Sequence, residues 1–207
     1  MLRRETVESH TLELLKNIQD DPFFQNTRLV GGTSLALQYG HRLSIDLDFF
    51  GDFIADLDAV KSILSKFGNL VYRYNTRSIF AFVINDIKVD LVNYKYPWID
   101  EEITLEGIRL ASDKDVAAMK LNAIAGRGSK KDFIDLFWLL KKYSIGEMLS
   151  FYNAKYEDGN QFAVLKSLNY FQDAEKQKVD MLVDVSWREV KNTIDNHYNN
   201  FIKSLEN

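Results

Sequence analysis

The sequence contains no cysteine among its 207 residues. Disulfide bonds, thiolate zinc sites and cysteine nucleophiles are therefore excluded. The first twenty residues carry charges at helical spacing instead of an apolar run with a small-residue cleavage site, so no secretory signal is visible. Membrane-spanning runs, internal repeats and low-complexity linkers are also absent. These absences predict a globular cytoplasmic protein that does not associate with a membrane.

The balance of charge is slightly negative, with a formal net charge of −4. This value argues against a uniformly basic nucleic-acid binder. Residues 109–142 nevertheless hold eight basic and four acidic side chains, so this stretch is locally positive. It could hold a polyanion such as a nucleoside triphosphate or an RNA end. The alternative is a pair of helices with solvated basic faces.

Patterns of apolar residues predict a mixed first half of the chain. Helical spacing predicts helices over residues 5–18 and about 56–67. "TRLV" is a short predicted strand that runs into Gly31, and "SIDLDFF" alternates strictly as a strand does. "SIFAFVI" and "KVDLVNY" are joined by the turn residues "ND", which predicts a β-hairpin. These patterns therefore predict that the first half of the chain forms a sheet with helices.

Two glycines precede a predicted helix, "TSLALQY", which ends at Gly40. Backbone N–H groups at a glycine-led helix start can bind an anion, because unpaired donors and the helix dipole point to the same place. Gly31 and Gly32 are therefore candidates for phosphate binding, with a hydroxyl added by Thr33 or Ser34. A tight turn with no ligand is the alternative.

Three carboxylates lie on predicted strands. Asp46 and Asp48 are two residues apart and share one strand face, where their repulsion calls for a cation. Asp90 lies on the hairpin strand "KVDLV", on the same face as Lys88. Carboxylate oxygens suit Mg²⁺ or Mn²⁺, and three of them can hold metal ions for phosphoryl transfer. A polar face screened by water is the alternative for the Asp46 and Asp48 pair.

Two helices are predicted after residue 110, and they carry both basic and acidic candidate site residues. "SDKDVAAMKLNAIAGRG" begins with a predicted capping box of Ser112 and Asp115, and the next helix has Ser129 as its predicted cap. Lys120 and Arg127 are seven residues apart, so they share a helix face and could both reach a triphosphate. For Asp132, a capping role beside Ser129 and a role in the site are both open.

The segments "LVGGTSLALQYGHRLSIDLDFF", "IKVDLVNY" and "DVAAMKLNAIAGRGSKKDFIDLFWLL" resemble the motifs of the nucleotidyltransferase AbiEii/AbiGii toxin family. That family belongs to the DNA polymerase β-like nucleotidyltransferase superfamily. The resemblance implies an α+β fold, with a nucleotidyltransferase-like mixed sheet, flanking helices and a helical C-terminal region. We expect residues 1–110 to form the α/β core and residues 111–207 to form the helical region that completes the active-site cleft.

The resemblance also implies roles for individual residues. Gly31, Gly32, Thr33 and Ser34 would hold the nucleotide phosphates, and Asp46 and Asp48 would bind Mg²⁺ or Mn²⁺ with Asp90 completing the catalytic set. Lys120 would be catalytic and would bind nucleotide together with Arg127 and Asp132. The resemblance thus assigns metal binding and catalysis to Asp46, Asp48 and Asp90, catalysis and nucleotide binding to Lys120, and nucleotide binding to Gly31, Gly32, Thr33, Ser34, Arg127 and Asp132.

The activity implied by the resemblance is a metal-dependent transfer of a nucleoside monophosphate from an NTP to an acceptor hydroxyl. The candidate acceptors are a tRNA or other RNA 3′ end, a protein side chain and a small molecule such as an aminoglycoside. Family members include toxins of toxin–antitoxin and abortive-infection systems, which act in phage defence and imply a cognate antitoxin. A nucleotide sensor or antitoxin-binding module without turnover is the alternative.

Overall fold

A computed structural model describes residues 1–53 and 56–206 of the chain, so Asn207 at the end of the predicted helical region lies outside it. The chain divides into two units. The first unit comprises Met1–Lys95 and Glu102–Ala111. The second comprises Tyr96–Glu101 and Ser112–Asn207. The chain passes from one unit to the other three times.

The first unit is built on a seven-stranded mixed sheet, which confirms the predicted fold class. Its strands are β1 (Thr27–Leu29), β2 (Leu47–Gly51), β3 (Leu70–Asn75), β4 (Ile79–Ile84), β5 (Ile87–Asn93), β6 (Ile103–Leu105) and β7 (Ile108–Leu110). They lie side by side in the order β3-β4-β5-β2-β1-β7-β6. The helices of this unit are α1 (Ser9–Asp20), α2 (Gly31–Tyr39) and α3 (Leu57–Leu64).

The two faces of the sheet differ because side chains alternate along each strand. On β2 and β5 the apolar set points to one face, where it is fully buried with residues of α1 and α3 in a single core. This apolar set consists of Leu47, Phe49, Val89 and Leu91. The opposite face carries the polar residues between them, including Asp48 and Asp90. Burial of one face therefore fixes which side chains the other face presents.

Several local predictions are confirmed by the backbone. Strands β4 and β5 form the predicted hairpin, with Asn85 and Asp86 in the left-handed region at φ 49° and 67°, as a two-residue turn of this type requires. Helix α2 ends at Gly40, which has φ 73° and is left-handed, as expected for a C-terminal stop. The hairpin turn and the end of α2 could be predicted from sequence because each depends on the backbone preferences of one or two residues.

Other local predictions are wrong. The single helix predicted over residues 5–18 is a 3₁₀ turn, Arg4–Thr6, followed by α1, which runs from Ser9 to Asp20. The strand "SIDLDFF" begins only at Leu47, so Asp46 precedes β2 instead of lying within it. Helix α2 begins at Gly31, two residues earlier than the hydroxyl residues suggested.

Three strands have no counterpart in the sequence prediction. β6 and β7 have three residues each, which is too short for alternation to show. β3 is an edge strand that pairs only with β4, and its pairing shifts register between Tyr72 and Tyr74. The shift is a β-bulge, which breaks the alternation by which a strand is recognised.

The second unit is helical. Its helices are α4 (Asp113–Gly126), α5 (Lys130–Leu139), α6 (Ile145–Lys155), α7 (Gln161–Ser167) and α8 (Trp187–Leu205). Ser112 caps α4 through the backbone N–H of Asp115, but no reciprocal bond from Asp115 completes the predicted box. A full capping box forms instead at Ser144 and Glu147, at the start of α6. Within the described ranges, no helix is long and apolar enough to cross a membrane.

A fully buried ion pair holds residues 96–101 within the second unit. The ammonium of Lys155 lies 2.7 Å from Asp115 Oδ1 and donates to the carbonyl of Pro97 at 2.7 Å. Asp115 also accepts hydrogen bonds from the backbone N–H groups of Ile99 and Asp100, at 2.9 and 3.3 Å. Each charge thus has several partners, which a buried pair needs in order to offset its desolvation.

Lys155→Met should lower the free energy of unfolding of the second unit by about 3–5 kcal/mol, because Asp115 would keep its buried charge without a counter-charge. Adding Asp115→Asn to Lys155→Met should recover part of the loss, since no unpaired charge remains. All three tryptophans lie in this unit, so denaturant unfolding followed by tryptophan fluorescence measures its stability. A double variant less stable than the Lys155→Met variant would contradict this account.

Candidate active site

Two aspartates meet on the polar face of the sheet. Strands β2 and β5 are parallel neighbours, and their register pairs Asp48 directly with Asp90. Both side chains therefore project from the same face, as the sequence pattern predicted. Asp46 lies two residues before Asp48, just ahead of β2, and its charge acts on Lys88 of β5 together with those of the other two aspartates. The structure thus pairs Asp48 with Asp90 and places Asp46 just ahead of β2.

The glycine pair makes room for two charged side chains. A Cβ atom on Gly31 would lie 2.9 Å from Asp48 Oδ2, and the φ of Gly31 is +70°, so this position favours glycine on both counts. A Cβ atom on Gly32 would lie 1.9 Å from a guanidinium nitrogen of Arg42. The start of α2 is therefore packed between a carboxylate and a buried cation.

Arg42 is also part of this site, although its only signature in the sequence is a basic residue in the turn before the aspartates. It is 3% exposed, and its Nη1 donates to the carbonyl of Leu43 at 2.9 Å. Val30, the residue that precedes α2, provides no side-chain cap, and the positive end of this helix lies beside the Arg42 guanidinium.

The hydroxyls of Thr33 and Ser34 are buried and bonded within the protein. Thr33 Oγ1 donates to the carbonyl of Asp46 and lies 2.8 Å from Ser44 Oγ. Ser34 Oγ accepts a hydrogen bond from Gln38 at 3.3 Å. In this arrangement Thr33 ties the start of α2 to the segment that carries Asp46.

Lys88 supplies positive charge beside the aspartates. Its ammonium donates to Asp90 Oδ2 at 2.6 Å, and its side chain is about half exposed, at 48%. Burial alone would lower the pKa of Lys88, but the hydrogen bond from Lys88 to Asp90 and the negative charges of Asp90, Asp48 and Asp46 raise it. That Lys88 shares a strand face with Asp90 was visible in the sequence, although its role as the counter-charge was not.

The donor set suits a divalent cation that prefers oxygen ligands. Asp90 Oδ1 is buried and accepts no hydrogen bond within the described part of the chain, so one carboxylate oxygen has an unused acceptor. Among residues 1–53 and 56–206, no three His, Cys, Asp or Glu side chains are arranged closely enough to hold a metal ion as they stand. Lys88 provides the compensating charge at Asp90 in this arrangement.

A second cluster of charges lies on α4 and α5 of the second unit. Lys120 is 4% exposed, and its ammonium lies 3.1 Å from Asp132 Oδ1 and 2.6 Å from Asp135 Oδ2. The side chain of Arg127 is 61% exposed and donates from Nε to Asp132 at 2.8 Å. Lys120 thus neutralises two buried carboxylates, whereas the side chain of Arg127 is largely exposed and also donates from Nη2 to Asp132 Oδ1 at 2.9 Å.

Asp132 does not form the capping bond expected for it. Helix α5 has no side-chain cap from Ser129, whose hydroxyl instead donates to Asp132 Oδ2 at 2.6 Å. Burial would raise the pKa of Asp132, but the hydrogen bond from Arg127, the charge of Lys120 and the hydrogen bond from Ser129 lower it well below its ordinary value. Asp132 is therefore ionised at neutral pH and holds both basic residues in place.

The sequence model of the family described as "Nucleotidyl transferase AbiEii toxin, Type IV TA system" matches residues 13–206. This span covers most of both units and every predicted site residue. The chain belongs to this family. Nucleotidyl transfer is thus the class of reaction of this AbiEii-family enzyme, as the sequence motifs predicted. Type IV toxin–antitoxin membership implies an antitoxin partner and an NTP substrate.

Relatives of this AbiEii-family chain support the same fold. It is 36% identical over 169 residues to the Aquifex aeolicus (strain VF5) protein described as uncharacterized protein aq_aa25, covering 79% of this chain and 82% of the relative. MenT4, a nucleotidyltransferase toxin of Mycobacterium tuberculosis H37Rv, is 14% identical with a TM-score of 0.61, covering 91% of this chain and 80% of MenT4. JHP933 of Helicobacter pylori is 20% identical with a TM-score of 0.58, covering 97% and 95% of the two chains.

Lys88→Met should raise the affinity of the nucleotide-free protein for Mn²⁺ by about threefold to tenfold, since an exposed ion pair worth about 1 kcal/mol no longer competes for Asp90. Calorimetric titration with Mn²⁺ measures the change directly. Lys95→Met is the matched control, because it removes the same charge from an exposed position shortly after β5. Equal affinities in the two variants would show that Lys88 does not compete with the cation.

The stability of the second unit should fall in acid because the pKa of Asp132 is lowered by folding. A lowered carboxyl pKa stabilises the folded state above the unfolded value of about 4, and the stabilisation is lost as the pH falls below it. Tryptophan-monitored unfolding between pH 7 and pH 2 measures the loss. Asp132→Asn should be less stable at pH 7 and should depend less on pH; a pH dependence as steep as wild type would assign the effect to other groups.

Proposed function

We propose that this protein transfers a nucleoside monophosphate from an NTP to the terminal hydroxyl of an RNA 3′ end in the cytoplasm, with Mg²⁺ or Mn²⁺ as cofactor. One observation carries the proposal. Asp48 and Asp90 stand side by side on parallel strands, and Asp48 also lies against Gly31 at the uncapped start of α2. Carboxylates for a cation and N–H donors for a phosphate thus occur at the same place.

Asp46, Asp48 and Asp90 would hold the divalent cation. A bound cation would neutralise charge on the transferring phosphate and make the acceptor hydroxyl more acidic. We assign Asp90 to the acceptor hydroxyl, whose proton it receives, because its Oδ1 accepts no hydrogen bond among the described residues. The acceptor oxygen forms a bond to the α-phosphorus while the bond from that phosphorus to pyrophosphate breaks. The rest of the protein's contribution is positioning and charge.

The first residues of α2 form the phosphate side of the proposed site. Gly31 and Gly32 would offer their N–H groups to the phosphates, and Arg42 adds a buried positive charge beside Gly32. Thr33 and Ser34 support this helix start through bonds within the protein. Each group acts without moving when the triphosphate arrives, which is the condition for efficient electrostatic stabilisation.

Lys120, Arg127 and Asp132 are also proposed to contribute to nucleotide binding, on the strength of their residue types and their match to the family motif. Arg127 is the residue suited to direct contact, because its side chain is 61% exposed. Lys120 would act indirectly by neutralising Asp132 and Asp135. The physiological role we propose is that of a toxin held in check by a cognate antitoxin in phage defence.

Asp48→Asn keeps the shape of the side chain but removes a charge where a divalent cation would bind. Nucleotidyl transfer should fall by roughly a thousandfold or more, because cation stabilisation of the transition state contributes several kcal/mol. The melting temperature of the metal-free protein should hold or rise, since one of two adjacent negative charges is removed. Transfer is measured by incubating the protein with each labelled NTP, Mg²⁺ and total RNA.

Asp86→Asn is the matched control for this experiment, because it removes one negative charge from the exposed turn between β4 and β5. It should transfer label at the wild-type rate. Equal transfer by Asp48→Asn and wild type would refute the role of the aspartates. Nucleotide binding without transfer to any acceptor, in wild type and in both variants, would favour the nucleotide-sensor function.

A further inference from the structure

The polar face of the sheet continues past the aspartates to the edge strand. Register pairs Asp48 of β2 with Asp90 of β5, Asp90 with Ala81 of β4, and Ala81 with Tyr74 of β3. These four residues form one row across four adjacent strands, and paired residues project from the same face of a sheet. Tyr74 therefore lies on the face that carries the aspartates, two strands beyond Asp90.

The β-bulge in β3 is what places Tyr74 on this face. Tyr72 pairs with Phe82, which belongs to the buried core, and residues two apart in a regular strand share a face. The register shift between Tyr72 and Tyr74 leaves Arg73 without a partner on β4. After this extra residue, the side chains of β3 project from the opposite face to the one that regular alternation would give. Bulges beside functional sites characteristically redirect one side chain in this way.

The two tyrosines differ in their contacts. Tyr72 packs its ring against Phe82 at 6.0 Å between centroids, and its hydroxyl donates to Asn75 at 2.8 Å. Tyr74 is 49% exposed and makes no hydrogen bond or ring contact through its side chain with the residues that the structure describes. Contacts within the protein thus explain why an aromatic residue is present at position 72, but they do not explain the one at position 74.

We propose that Tyr74 stacks on the terminal nucleobase of the RNA acceptor and so selects a nucleotide end as the substrate of the transfer reaction. This inference rests on the proposed function and names a residue that positions its acceptor. Strand spacing places β3 about 10 Å from β5, and the residue between Tyr74 and Asp90 in this row is Ala81, which is buried and has only a methyl side chain. A ribose hydroxyl at Asp90 would then have its base in reach of the Tyr74 ring.

The charges around Tyr74 favour RNA as the occupant. Arg73 and Arg77 flank it, are exposed, and form no ion pair within the described residues. Two unpaired cations beside an exposed aromatic ring are the combination that binds single-stranded nucleic acid, because the cations contact the backbone and the ring contacts a base. An aminoglycoside acceptor is itself cationic and would be repelled by the same residues.

Steady-state transfer with a labelled NTP and a short single-stranded RNA tests the proposal. Tyr74→Ala should raise the KM for RNA about tenfold, as expected for the loss of one stacked base, while kcat and the KM for the NTP stay unchanged. Tyr74→Phe should restore the wild-type KM, because stacking needs the ring and not the hydroxyl. Tyr72→Ala, on the same strand but the opposite face, is the matched control and should leave the KM for RNA unchanged.

A second measurement keeps the inference separate from the proposed reaction. Fluorescence anisotropy with a labelled single-stranded RNA, without NTP, should show about tenfold weaker binding by Tyr74→Ala than by wild type. If wild type transfers label to no acceptor, the proposed function fails and this binding difference still decides the role of Tyr74. Absence of RNA binding by wild type, equal effects of Tyr74→Ala and Tyr72→Ala, or a change in the KM for the NTP alone would each overturn the inference.

Discussion

Repulsion between two carboxylates on neighbouring strands is the constraint on which the arrangement of charges in the first unit depends. Asp48 and Asp90 are held in register because the apolar residues that alternate with them are buried on the other face. Moving them apart would require a slip of one residue, which would expose the whole core face of the strand. The protein therefore supplies positive charge to the aspartates, through Lys88 at one carboxylate.

The second unit handles its buried carboxylates differently. Asp115 has Lys155, and Asp132 and Asp135 share Lys120, so each buried acid has a basic partner from within the unit. Each of these three carboxylates lies within 3.1 Å of a buried ammonium nitrogen. By contrast, the aspartates of the sheet are compensated by a half-exposed lysine, and an oxygen of Asp90 remains without a hydrogen bond among the described residues. An incompletely compensated group is the kind that can accept a ligand.

The parts of the site that could be predicted from sequence are those on strands, where apolar and polar side chains alternate regularly. Alternation along "SIDLDFF" and "KVDLV" was enough to put Asp48 and Asp90 on one face, and turn chemistry identified the hairpin between β4 and β5. The partners of Thr33 and Arg42 could not be predicted, because each depends on which residues distant in sequence come together. Tyr74 was missed for a further reason: a bulge reverses the alternation from which its face would have been read.

The chain crosses between the two units three times, so no single cut separates one unit from the other. Residues 96–101 lie in sequence between strands β5 and β6 of the sheet, but Lys155 and Asp115 bond them to the helical unit. A cut at residue 111 would separate the helices from this segment and leave the Lys155 ammonium and the Asp115 carboxylate without three of their backbone partners. The helical unit is thus not an exchangeable module, and recombination between family members would have to transfer residues 96–101 together with it.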